Sequence, residues 1–128
     1  MENGERLRGA RNLLLNLHKN LVDHERAIWE GINGPATPTQ FLNLLIEDPD
    51  FAWLRKFSTL IVDIDEMFAQ RDGFSPEAVE LHLEKLQDLV GMKDEDETFR
   101  AKYQAALQQD LDAAARHGDL RMLLGSPD

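Results

Sequence analysis

The stretch ERLRGARNLLLNLHKNLVDHERAIWEGINGP, residues 5–35, sets the architecture. At about 100° per residue, Leu7, Ala10, Leu14, Leu17, Leu21, Ile28 and Ile32 share one arc, which predicts a long amphipathic helix from Glu5 to Ile32. Asn33-Gly34-Pro35 then stops it, because Gly suits the residue past a helix end and Pro cannot continue one.

The same helical spacing recurs downstream. Thr37-Pro38-Thr39-Gln40 reads as a capping box opening a short helix from Pro38 to Ile46, with Phe41, Leu42, Leu45 and Ile46 on its inner face. Asp48-Pro49 repeats the start signal for a third helix to Ala69, whose wide arc of Trp53, Leu54, Phe57, Leu60, Ile61, Ile64 and Phe68 suits a central position. Ser75-Pro76 opens a fourth to Val90, capped by Gly91. A fifth runs from Glu97 to His117, ended by Gly118, with Asp119 capping a last short turn to Leu124. Strict alternation of apolar and polar residues persists nowhere. The expectation is an all-α single domain over residues 1–128, a bundle of four main helices plus a short one between the first and third. Its ordered core runs from about 5 to 124, with 125–128 a flexible polar tail.

Composition narrows function by exclusion. Among 128 residues there is no cysteine, so neither a disulfide framework nor a thiolate metal site is available. A net charge of −10 argues against binding nucleic acid or anionic lipid. No apolar run approaches the roughly 20 residues that span a bilayer, and no signal-peptide core follows the N-terminus, so a cytoplasmic location is expected. Charge mimicry of nucleic acid is a further possibility, but the carboxylates are spread over several helices and interrupted by Lys and Arg.

Signatures for phosphate loops, dinucleotides, calcium and zinc are missing. His24-Glu25 begins like a zinc motif, but position 28 is Ile. What stands out is a set of polar residues on apolar arcs. Glu25 falls on the inner face of the first helix, His18 at the edge of that arc two turns earlier, and Asp65 turns inward on the third helix while Asp63 and Glu66 face solvent. A buried carboxylate needs a partner. Three explanations follow: an internal network satisfied by His18, Arg26 or Arg55; a polar stripe facing a partner or second copy; or a metal or small-molecule site in the bundle core around His18, Glu25 and Asp65. No Glu-x-x-His ligand pair of the di-iron type occurs, and no cofactor is indicated. Trp29, Phe51 and Trp53 are candidate interface anchors, although Trp53 also suits the core; Phe51, off its helix's main arc, suits exposure or packing on the second helix.

Leu14-Leu15-Asn16-Leu17-His18-Lys19 leading to Asp23-His24-Glu25-Arg26, and Phe41-Leu42 through Asp48-Pro49-Asp50-Phe51-Ala52-Trp53-Leu54 to Ile64-Asp65-Glu66, resemble a family of small uncharacterised bacterial all-helical proteins. The resemblance covers roughly the first half of the chain. It implies a bacterial source and a helical fold, and no activity. The expectation for function is a non-enzymatic protein acting through a protein partner or through itself, a homodimer being the simplest form. The alternative is a metal- or small-molecule-binding bundle, enzymatic or not, built on the His18, Glu25 and Asp65 cluster.

Overall fold

The computed structural model describes residues 2–125, and all regular structure among them is helical. There are six α-helices and one 3-10 helix: α1 Asn3–Asn33, α2 Pro38–Glu47, the 3-10 helix Pro49–Leu54, α3 Arg55–Phe68, α4 Pro76–Val90, α5 Glu97–Gln109 and α6 Leu111–Leu124. The all-α expectation holds, but the count of four main helices plus one does not. Of the tail expected over 125–128, only Gly125 lies within the described residues.

Helix starts follow local chemistry. At α2 the Gln40 N–H donates to Thr37 Oγ1 at 3.1 Å and the Thr37 N–H donates to Gln40 Oε1 at 2.9 Å, a complete capping box. Ser75 accepts from the Ala78 N–H to open α4, and Asp96 accepts from the Phe99 N–H to open α5. At the end of α4 the left-handed residue is Met92, with φ 57°, one position beyond Gly91.

Two boundaries differ from expectation. The third helix does not start at Asp48 as an α-helix, because residues 49–54 wind more tightly. With three residues per turn, Phe51 eclipses Leu54 instead of standing about 60° away. Phe51, Trp53 and Leu54 therefore all reach the core, at 3%, 4% and 2% exposure. The expected fifth helix breaks at Asp110, which takes an extended conformation and caps α6 by accepting from the Ala113 N–H at 3.0 Å. Gly118 sits inside α6 rather than ending it.

Buried side chains from every helix join one apolar cluster. At its centre are Trp53, Phe57, Phe99 and Tyr103, with Phe57 and Tyr103 edge-to-face at 5.1 Å. The Tyr103 hydroxyl, inside this cluster, meets His117 Nδ1 at 2.7 Å. Burial pushes the phenol far up and lowers the His117 imidazole, so it disfavours the charged form of each. The central position falls to α1, which packs against α3, α4 and α6. It runs antiparallel to α3, as the Arg11–Asp65 pair and the His18–Phe57 ring contact show. It also runs antiparallel to α6: Gly9 faces Leu123 near one end and His24 faces Asp110 near the other.

Candidate functional site

The antiparallel register of α1 and α3 decides the fate of the polar residues. Asp65 is exposed and bound by Arg11, whose Nε and Nη2 each donate to a carboxylate oxygen at 2.9 Å. The expectation that Asp65 turns inward is therefore corrected: Phe57, Leu60, Ile61, Ile64 and Met67 fill the inner arc of α3, and Asp63 is the more enclosed of the two aspartates. His18 lies half-buried with its ring 6.5 Å from that of Phe57, and burial lowers its pKa.

Glu25 is half-buried. Among the described residues no hydrogen bond to its carboxylate is present; it sits in the fields of Lys102, His24 and Asp50. Burial raises its pKa, Lys102 and His24 oppose the rise, and Asp50 adds to it. Arg11, His18 and Glu25 are successive stations on α1, seven residues or about 10 Å apart. Asp65 stands opposite the first station, so His18, Glu25 and Asp65 do not converge. Among the described residues, no three His, Asp or Glu side chains form a group able to hold a metal ion. Arg55, expected as a partner for these carboxylates, instead donates to the Leu45 and Ile46 carbonyls at the end of α2.

Of the three aromatic anchors, Phe51 and Trp53 belong to the core. Phe51 packs edge-to-face on Phe41 of α2 at 5.7 Å, the packing alternative of the two expected for it. Trp53 Nε1 is a buried donor with no partner among the described residues. Trp29 is half-buried and lines an open groove of about 550 Å³ between α1 and α2, together with Gln40, Asn43, Leu44, Glu47, Asp48 and Pro49.

The groove exists because α1 outruns its neighbours. Its inner stripe is fully buried from Leu7 to Leu21, and no residue of α1 beyond Leu21 is buried. The start of α6 lies level with His24, where His24 Nδ1 is 3.6 Å from Asp110 Oδ2. From Val22 to Asn33 the helix extends for roughly 18 Å at 1.5 Å per residue. The inner stripe continues along that length as Ile28 and Ile32, which are 44% and 79% exposed. Both were expected in the core.

The connection to α2 folds back along this overhang and is clamped there. Arg26 Nη2 donates to the Ala36 carbonyl at 2.8 Å, the Ala36 N–H donates to Glu30 Oε2 at 2.8 Å, and the Arg26 guanidinium lies 5.0 Å from the Phe41 ring centre. The Ala36 N–H, helped by Arg26, holds the Glu30 carboxyl below its ordinary pKa. α2 packs on the 3-10 helix and meets the overhang where Arg26 lies over Phe41, with Leu42 and Ile46 exposed at 54% and 59%. These two were also expected in the core. The sequence contained the signal in composition: residues 22–50 carry six carboxylates against one cation, Arg26.

Among the described residues, no helix is long and apolar enough to cross a membrane. Comparison with protein-family models, with curated proteins and with solved structures gives no match to this chain. The resemblance to small bacterial helical proteins thus rests on the quoted residues alone.

Proposed function

We propose that this is a bacterial cytoplasmic, non-enzymatic protein that acts by contact with another protein or with a second copy of itself, and that the α1–α2 hairpin is the contact surface. One observation carries the reading: the stripe that forms the core-facing side of α1 runs on past the bundle as exposed Ile28 and Ile32 beside a Trp29-lined groove. Exposed apolar side chains scattered singly need no explanation, whereas an apolar stripe continuous with a core has the character of an interface. The separation of His18 from Glu25 along α1, with Asp65 held at the surface of α3 by Arg11, lends nothing to a core-site chemistry.

A photo-cross-linking amino acid placed at position 32, with position 81 on α4 as control, tests it in source-cell lysate and in the purified protein. Leu81 is also exposed, at 49%, but lies away from the hairpin. Discrete adducts, to a partner or to a second copy, are expected from position 32 and not from position 81. The same pattern from both positions, or no adduct from position 32, refutes the hairpin as the contact surface.

A further inference from the structure

We infer that the occupant of the α1–α2 groove is a cationic amphipathic helix of another protein, laid along Ile28, Trp29 and Ile32; this rests on the contact reading above and names the partner's chemistry. Shape comes first. On α1, Ile28 and Ile32 are one turn apart and Trp29 lies about 60° round from Ile32; Trp29 lines the groove together with Leu44, and the exposed Ile28 and Ile32 stand beside it on the same helix. A groove bounded by two helices and floored with apolar side chains takes a helix that presents its own residues at i, i+4 and i+7.

Charge then chooses the partner. Residues 22–50 hold Asp23, Glu25, Glu30, Glu47, Asp48 and Asp50 against Arg26, a net −5 with His24 neutral. That is half of the chain's −10 in 29 of its 128 residues. Two cations reach in from elsewhere, but Arg55 is committed to the Leu45 and Ile46 carbonyls and Lys102 to the Asp50 carbonyl. Counting both, the region is still at −3. Glu25 of α1 has no hydrogen-bond partner among the described residues, and Glu47 on the groove wall makes no ion pair among them. A second copy would set one acidic hairpin against another, whereas Lys and Arg flanking an apolar helical face would meet both carboxylates. Opposite charges across an interface steer encounter, and like charges suppress wrong partners.

The probe is a designed 18-residue helical peptide with Leu on one face and Lys on the other, compared with a twin in which every Lys is Glu. Calorimetric titration into the full chain is expected to show binding of the Lys peptide and at least about tenfold weaker binding of the Glu twin, with affinity falling several-fold between 50 and 200 mM salt. The pair Ile28→Ser and Ile32→Ser leaves net charge unchanged and is expected to weaken the Lys peptide by roughly tenfold or more, while Leu81→Ser changes nothing. Undiminished binding to the Ile28→Ser, Ile32→Ser protein overturns the inference, because charge alone would then suffice. Equal binding of the two peptides overturns it as well. If neither peptide binds and the chain sediments as a dimer that Ile32→Ser dissociates, the cationic partner is wrong and the contact reading stands. If neither peptide binds and position 32 yields no cross-link, both fall.

Discussion

Leu21 and Ile32 occupy the same stripe of α1, three turns apart, and truncating each to alanine measures where the bundle ends. Leu21 is fully buried, so Leu21→Ala removes buried methylene groups and leaves a cavity, a loss of about 3 kcal/mol within the usual range of roughly 2–5. Ile32 keeps 79% of its surface in water. Only about a fifth of the roughly 1.5–3 kcal/mol from full burial is at stake there, or about 0.5 kcal/mol. The better helix propensity of Ala returns most of that, about 0.4 kcal/mol. At about 2.1 cal/mol/K per residue, the unfolding entropy of 128 residues is roughly 0.27 kcal/mol/K. Leu21→Ala is then expected to lower Tm by about 11 °C, and Ile32→Ala by no more than about 2 °C. Thermal and urea melts followed by circular dichroism read both, with unchanged m-values as the check that the two-state comparison is valid. A loss above about 1 kcal/mol for Ile32→Ala would refute the exposed overhang. A loss that grows with protein concentration would show that a second copy covers the stripe.

Four further outcomes follow from the same geometry. Tyr103→Phe is expected to destabilise by about 1 kcal/mol in urea melts, since it leaves His117 Nδ1 without its hydrogen-bond partner; a neutral result means water replaces the phenol. His18 and His117 have pKa values lowered by burial, so the unfolded chain takes up protons first. Their contribution is complete above the ordinary value near 6.5 and is lost as pH falls through the lower folded values. Melts at pH 8, 6 and 5 should show that decline, and His18→Gln with His117→Gln should flatten it. Glu25 has the opposite sign: its raised pKa carries a penalty at neutral pH that is relieved as pH falls through the folded value, so Glu25→Gln should stabilise at pH 7 and be neutral near pH 4, and a gain at pH 4 as large as at pH 7 would contradict it. A double-mutant cycle on Arg11→Ala and Asp65→Ala should give a coupling of about 0.5 kcal/mol, weakened by salt; coupling above about 1 kcal/mol would mean the pair is less solvated than its surface position indicates.

Much of the helical plan was legible because its signals are local. Thr37 to Gln40 and Ser75-Pro76 cap their helices through contacts within four residues, and periodicity alone assigned Leu7 to Leu21 to the core. Where two local signals compete, the sequence pattern does not decide between them. At Asp110 a good N-cap stood inside an alanine-rich run of high propensity, and the cap won because it turns α6 back onto α1. At Asp48-Pro49 the α and 3-10 windings open with the same residues; the inward pull on Phe51, Trp53 and Leu54 chose the tighter one.

The candidate site divides along the same line. Sequence by itself determined the stripe on α1 that holds both Leu21 and Ile32, the acidic bias of residues 22–50, and the oddity of Glu25 on an apolar face. Only the tertiary structure decided that the stripe is covered as far as Leu21 and bare at Ile28 and Ile32, that Arg11 holds Asp65 at the surface, and that the clamp of Arg26 and Glu30 on Ala36 folds α2 into the second wall of a groove. The physical reason is that periodicity reports the direction in which a side chain points, while burial depends on how far the neighbouring helices reach. That reach is set by breaks at Asp110 and Leu54, which lie 78 and 22 residues in sequence from Ile32 and 89 and 33 from Leu21.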